Sequence, residues 1–142
     1  MYNSKIENLI ERLAEIDAIS EQVGMNYNDF QDAIDLINDD MMDEFSYTFS
    51  LEDKKHHLYV NIEKICTETK QIRKYALGIQ EIEERANVLR YDDAPHHNEV
   101  RKIKELNPPH HKHIGKEERV EPSSGDLDDI ISGLEEKLEY IK

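Results

Sequence analysis

The chain has little of what marks secreted or membrane-embedded proteins. It has one cysteine, Cys66, in 142 residues, so it cannot form an internal disulfide. No early apolar run resembles a signal peptide, and no run reaches the roughly 18 apolar residues that a membrane span needs. We therefore predict a soluble, cytoplasmic protein with no membrane partner, folded as a single domain over residues 1–142.

Basic residues are also scarce. The chain has 18 lysine and arginine residues against 32 aspartate and glutamate residues, which gives a net charge of −14. Such a balance opposes general binding to nucleic acid. The charge is uneven, however, because residues 1–53 carry −12, residues 54–120 carry +3 and residues 121–142 carry −5. A negatively charged ligand such as RNA would meet a tolerable surface only in the middle of the chain.

Hydrophobic periodicity predicts helices at both ends of the chain. Residues 4–23 and 126–141 carry apolar side chains at three- and four-residue steps, and residues 29–39 show a weaker pattern of the same kind. Ser123, Ser124 and Asp126 are candidate caps of the last helix. We predict an acidic helical part over residues 1–42 and a C-terminal helix over residues 125–142.

Between these helices, apolar and polar residues alternate. Phe45, Tyr47 and Phe49 mark a first strand, and similar alternation marks three more strands up to Tyr91. We predict an α+β fold with a four-stranded antiparallel meander over residues 43–91, covered by the N- and C-terminal helices. Residues 92–124 show no sustained period and are predicted to be a long, irregular, histidine-rich loop segment.

Five of the seven histidines lie within residues 96–113. They fall in two blocks, Arg-Tyr-Asp-Asp-Ala-Pro-His-His (residues 90–97) and Pro-His-His-Lys-His (residues 109–113). Histidine can exchange a proton near neutral pH or bind a metal ion. On an extended backbone His111 and His113 lie on the same side, because side chains alternate along a strand. A separate pair, His56 and His57, is predicted to be exposed in or just after the first hairpin turn.

These blocks supply candidate functional residues in three roles. The candidate catalytic residues are His96, His111, His113 and Asp92. The histidines would act as acid and base, and Asp92 would orient a histidine. The same three histidines could instead bind one divalent metal ion, although their spacing does not require a cofactor. Arg90 and Lys112 are the candidate phosphate contacts. Three further residues are expected to pack against the candidates and orient them: His97, His110 and Asp93.

The two blocks, followed by Val-Glu-Pro-Ser (residues 120–123), resemble the TumE-like toxin family of prokaryotic toxin–antitoxin modules. The resemblance covers residues 88–142 and extends loosely back to about residue 43. Family members commonly carry asparagine where this chain has Asp93, and often a shorter insert than residues 101–105. The resemblance implies a small toxin that acts on RNA and is neutralised by a cognate antitoxin, which we expect to be a helix-turn-helix protein.

The residues and the resemblance together leave three functions open. The first is a toxin that acts on RNA through the histidines, for example as a ribonuclease-type enzyme. The second is a non-catalytic module that binds a basic partner through its acidic helices, with the histidines as a metal- or pH-tuned staple. The third is a metal-dependent hydrolase of a small phosphorylated substrate.

Overall fold

Six strands in the described part of the chain form one antiparallel sheet, and each strand pairs with its neighbour in sequence. The computed structural model describes residues 4–15, 27–39, 41–51, 53–93, 110–117 and 119–140. The elements in chain order are α1 (Ile6–Glu15), α2 (Tyr27–Ile37), β1 (Phe45–Ser50), β2 (His56–Cys66), β3 (Gln71–Glu81), β4 (Asn87–Asp92), β5 (His111–Ile114), β6 (Arg119–Pro122) and α3 (Leu127–Tyr140). The predicted α+β class is confirmed.

The predicted number of strands was wrong. The first four strands lie where alternation placed them, but β5 and β6 lie inside residues 92–124, which were predicted to be irregular. Each of these two strands has only four residues, and β5 alternates histidine with lysine and isoleucine rather than apolar with polar. Their backbones are held by pairing with β4 and with each other, from Leu89 opposite Ile114 to Asp92 opposite His111. Such backbone pairing leaves no hydrophobic period in the sequence.

One face of the sheet is apolar and packs against the helices. Alternate residues of β1 to β4 are buried there, including Phe49, Leu58 and Leu77. The helices contribute their apolar stripes, and α1 and α3 are joined by an ion pair between Arg12 and Asp128. The buried helix residues are Ile6, Leu9, Ile10, Leu13, Ala33, Ile37, Leu127, Ile130, Ile131, Leu134 and Leu138. The predicted helix over residues 4–23 is described only as far as Glu15, and residues 16–26 lie outside the described residues.

Helix α3 is fixed at its start and along its length. Asp126 is its cap, because its Oδ1 accepts the backbone N–H of Asp128 at 3.2 Å. Further along, Gly133 lets the helix approach β4: a Cβ at that position would lie 2.0 Å from the Tyr91 hydroxyl. This close packing holds β4 in place against the helix layer. No helix in the described part of the chain is both long and apolar enough to cross a membrane.

The prediction placed His56 and His57 correctly beside the first hairpin turn but was wrong about their exposure. Both residues begin strand β2 and are half-buried. His56 Nδ1 lies 2.6 Å from Asp53 Oδ2, and His57 Nε2 lies 2.9 Å from Gln80 Oε1 on β3. The turn ends before the histidines because Asp53 accepts the backbone N–H groups of Lys55 and His56.

Candidate functional site

The face of the sheet opposite the helices carries the candidate site, at the pairing of β4 with β5. Asp92 stands opposite His111 across this pairing, and Arg90 stands opposite His113. Since side chains two residues apart point to the same side of a strand, all four side chains share one face. Asp92, His111 and His113 are called the histidine–aspartate cluster below.

The members of the histidine–aspartate cluster are in contact. His111 Nε2 lies 2.7 Å from Asp92 Oδ1, and His113 Nε2 lies 3.4 Å from Asp92 Oδ2. The centres of the two imidazole rings are 5.1 Å apart. The three residues are only 0 to 5% exposed. The prediction that His111 and His113 lie on the same side is therefore confirmed, and Asp92 reaches both of them.

Arg90 completes the electrostatics of the cluster. Its Nε donates a hydrogen bond to Asp92 Oδ2 at 3.0 Å. Burial by itself would raise the pKa of Asp92, but hydrogen bonds from His111 and His113 and the charge of Arg90 outweigh it and hold that pKa well below its ordinary value. Asp92 is therefore ionised. The Arg90 side chain is 34% exposed, so it joins the buried cluster to the surface.

Strand β3 supplies small residues beside the cluster. Ala76 stands opposite Asp92 and Gly78 opposite Arg90. A Cβ on Gly78 would lie 2.2 Å from the carbonyl oxygen of Leu89, so only glycine allows β4 to approach this closely. The sequence analysis did not single out Gly78. A glycine inside a strand is the available signal, because it commonly marks a close approach of backbones.

Lys112 is not brought to the cluster. It lies between the two histidines in sequence and therefore points to the helix side of the sheet. There it lines a groove of about 490 Å³ between β4, β5 and the second half of α3. Its Nζ lies 3.9 Å from Glu121 Oε2. Of the two predicted phosphate contacts, only Arg90 is next to the histidines.

His110 and Asp93 both contact Tyr75 rather than the cluster. His110 Nδ1 lies 2.7 Å from the Tyr75 hydroxyl, and Asp93 Oδ1 accepts the Tyr75 backbone N–H at 3.2 Å. Burial, helped by the neighbouring His111, lowers the pKa of His110 to about 4, so this imidazole is neutral at pH 7. Gly125, with φ of 71°, leaves room for the His110 ring. These contacts fix the end of β4 and the start of β5 against the middle of β3.

His96 and His97 lie outside the described residues, so their predicted roles stay predictions. Among the described residues, Asp92 is the third group beside His111 and His113. One ligand atom from each member of the histidine–aspartate cluster lies within 4.8 Å of the others, so these residues could hold a divalent metal ion.

Fold and site together define a small α+β protein that buries two histidines against an ionised carboxylate beside an arginine. The family described as "Toxin TumE" matches residues 34–142, from within α2 to the end of the chain. This match includes the whole sheet and the cluster, and the chain belongs to the TumE toxin family. A toxin of this kind is one component of a toxin–antitoxin system and has a cognate antitoxin as its partner. No curated protein and no solved structure matches the chain.

Proposed function

We propose that this toxin acts on RNA as a ribonuclease-type enzyme and that the histidine–aspartate cluster is its reacting site. The observation that carries the proposal is the contact of His111 and His113 with the ionised carboxylate of Asp92, next to Arg90. Two imidazoles can divide the proton transfers of phosphodiester cleavage between them. The carboxylate orients an imidazole, and the guanidinium offsets the charge that develops on the phosphate.

The proposed reaction needs no group beyond these side chains and the RNA. One histidine takes the proton from the 2′-hydroxyl, whose oxygen bonds to phosphorus. The other histidine gives a proton to the 5′-oxygen as its bond to phosphorus breaks. The Nε of Arg90 is committed to Asp92, so its terminal amino groups are the donors that would meet the phosphate.

The acidity of the chain is compatible with this proposal because the helices bear much of it. Exposed carboxylates of α1 and α3 lie on the helix layer, behind the sheet as seen from the cluster. At physiological ionic strength, salt largely screens the interaction between exposed charges more than about 8 Å apart, so these carboxylates act weakly across the sheet. The same acidic layer favours an antitoxin with a basic docking surface. We also expect that antitoxin to be a helix-turn-helix protein, which the sequence of the neighbouring gene would test.

The burial of the cluster favours a second candidate function. Groups that are 0 to 5% exposed can hold β4 and β5 together in a non-catalytic module that only binds its partner. In that case, replacing the histidines would change the stability of the protein or its affinity for the antitoxin, while no RNA would be cut. The two candidates therefore differ in what happens to RNA.

The deciding experiment is inducible expression of the toxin with and without its antitoxin, with cellular RNA analysed after induction. We expect growth arrest with RNA cleavage for the wild type, and neither for His111→Ala or His113→Ala. His57→Gln is the matched control, because it removes a half-buried histidine of the same face far from the cluster. It should arrest growth like the wild type.

Three results would contradict the proposal. These are growth that continues in the wild type, full toxicity of both cluster variants, and growth arrest with intact RNA. Because a cluster variant can lose toxicity simply by unfolding, each variant is also purified with its antitoxin and checked by circular dichroism. A folded variant that binds the antitoxin but cuts no RNA supports the enzymatic candidate.

A further inference from the structure

The histidine–aspartate cluster has the donor set and the spacing of a metal site. Two imidazoles and a carboxylate are three of the four ligands found in many zinc sites that keep one position open. A tetrahedral ion with bonds of about 2.1 Å separates its ligand atoms by roughly 3.4 Å. His111 Nε2 lies 2.7 Å from Asp92 Oδ1, and His113 Nε2 lies 3.4 Å from Asp92 Oδ2. One ligand atom from each of the three residues lies within 4.8 Å of the others. Small side-chain rotations are enough to admit an ion.

The backbone holds these donors in place. His111 and His113 are two residues apart on β5, and Asp92 stands directly opposite His111 on β4. Both strands have a partner on their other side, β3 and β6, so the pair is inside the sheet. Ligands carried by paired strands are held more closely than ligands on loops. The cluster is therefore arranged before any ion arrives.

Arg90 supports the carboxylate in the way expected behind a metal ligand. Carboxylates that bind metals are usually hydrogen-bonded by a further group, which orients them. Arg90 Nε does this at Asp92 Oδ2, which leaves Oδ1 as the oxygen nearest to His111. The positive charge of Arg90 opposes a cation at short range, so the ion must gain its affinity from the two nitrogen donors.

We propose that Asp92, His111 and His113 bind one divalent transition-metal ion of the zinc class, and that the bound ion inhibits the toxin. Nitrogen donors select zinc, cobalt, nickel or copper over magnesium and calcium. The inhibitory half rests on the proposed function. An ion bound at Nε2 leaves the proton of the neutral imidazole on Nδ1, so neither nitrogen can accept a proton from RNA while the ion is bound.

The binding half is tested on the full-length, untagged chain after removal of metal with a chelator. Zinc is titrated against a coloured competitor, and cobalt is titrated while the visible spectrum is recorded. We expect one equivalent of zinc and a cobalt spectrum of a four- or five-coordinate site. His111→Ala and His113→Ala should each weaken zinc binding by more than 100-fold.

The chain provides its own control for this measurement. The double variant His56→Gln, His57→Gln removes the other histidine pair, beside Asp53, and should bind zinc like the wild type. Zinc binding that is absent, or that is lost in this control and kept in His111→Ala, overturns the site. X-ray absorption of the zinc-loaded wild type needs no variant to fold. Two imidazole ligands with oxygen are expected, and a shell with fewer than two imidazoles also overturns the site.

The inhibitory half is tested by RNA cleavage at increasing zinc occupancy. We expect cleavage to fall in proportion to occupancy and to return on adding chelator. If chelator stops cleavage and zinc restores it, inhibition is overturned while the site stands. If zinc binds at the cluster but neither form of the chain cuts RNA, the proposed function fails and the metal site stands. If the chain cuts RNA but binds no zinc, the metal site fails and the proposed function stands.

Discussion

Two contacts between histidine and aspartate in this chain have almost the same length but different surroundings. Asp53 and His56 meet at 2.6 Å beside the turn that joins β1 to β2, where their side chains are 28% and 17% exposed. Asp92 and His111 meet at 2.7 Å inside the sheet, where their side chains are 1% and 0% exposed. Water screens the first contact, so it is worth about 0–1 kcal/mol. The second contact is strong, but burying its groups is costly.

The difference shows which histidines are candidates for function. Asp53 has a local task, because it closes the turn by accepting backbone N–H groups. Asp92 joins two strands through a polar contact where apolar side chains would stabilise the fold equally well or better. A protein gains little stability from such a cluster, and strongly shifted pKa values in a buried cluster are typical of functional sites.

The largest expected effect comes from breaking the buried contact. His111→Ala leaves the ionised Asp92 without its nearest imidazole and opens a cavity, so we expect a loss of about 3 kcal/mol or more in the free energy of unfolding. His56→Ala should lose less than about 1 kcal/mol. Urea denaturation of both variants and the wild type, in metal-free buffer, measures the two losses. Equal losses would show that burial does not distinguish the two contacts.

The second effect concerns the glycine that lets β4 approach β3. Gly78→Ala forces a methyl group against the carbonyl oxygen of Leu89, so we expect a loss of about 2 kcal/mol and a shift of Arg90 and Asp92. Gly115→Ala is the control. It has open space around it and a φ of 73°, so it should lose about 1 kcal/mol through backbone strain alone.

Imidazole NMR signals distinguish these two glycine variants. Signals of His111 and His113 should shift in Gly78→Ala, because its methyl group displaces the strand that carries Asp92. They should stay unchanged in Gly115→Ala. If both variants leave the signals unchanged, the position of the cluster does not depend on the close approach of β3 and β4.

A smaller effect is expected on the helix side of the sheet. Tyr75→Phe removes the hydroxyl that bonds to His110 Nδ1 and should reduce the free energy of unfolding by about 1 kcal/mol. The ring and its stacking on His110 remain, with centres 5.7 Å apart. Growth arrest should persist, because this contact lies on the opposite side of the sheet from the cluster. A loss of toxicity in a folded Tyr75→Phe variant would mean that His110 acts on the cluster.

The sequence was sufficient where side chains determine the structure. Alternation at Phe45, Tyr47 and Phe49 reflects a sheet with one buried face, and it located β1 to β4 correctly. Alternation also placed His111 and His113 on one side. It failed for β5 and β6 because backbone pairing with β4 forms those strands, and pairing between distant segments leaves no local pattern.

The partners of individual side chains were harder to predict than the strands. Asp92 was expected to orient a histidine, and the register of β4 and β5 brings it to two. Lys112 was grouped with its neighbours in sequence, but strand alternation sends it to the helix side. His110 and Asp93 meet Tyr75, which is 35 and 18 residues away in sequence. Only the register of the strands shows such contacts.

The smallest effect tests the exposed contact by pH. Burial alone would raise the pKa of Asp53, but the hydrogen bonds from His56 and from the turn N–H groups outweigh it and lower that pKa below 3.8. A carboxylate whose pKa is lowered by folding stabilises the fold above its unfolded pKa, and this stabilisation is lost as the pH falls through the folded pKa. Asp53→Asn should therefore be less stable than the wild type by about 0.5 kcal/mol at pH 7, and the gap should narrow as the pH falls below 3.8 and through the folded pKa of Asp53. High salt at pH 7 should also narrow it. A gap that does not narrow below pH 3.8 would mean that Asp53 acts through the shape of the turn rather than through its charge. The contrast with the buried Asp92 would then be one of backbone geometry as well as of solvent.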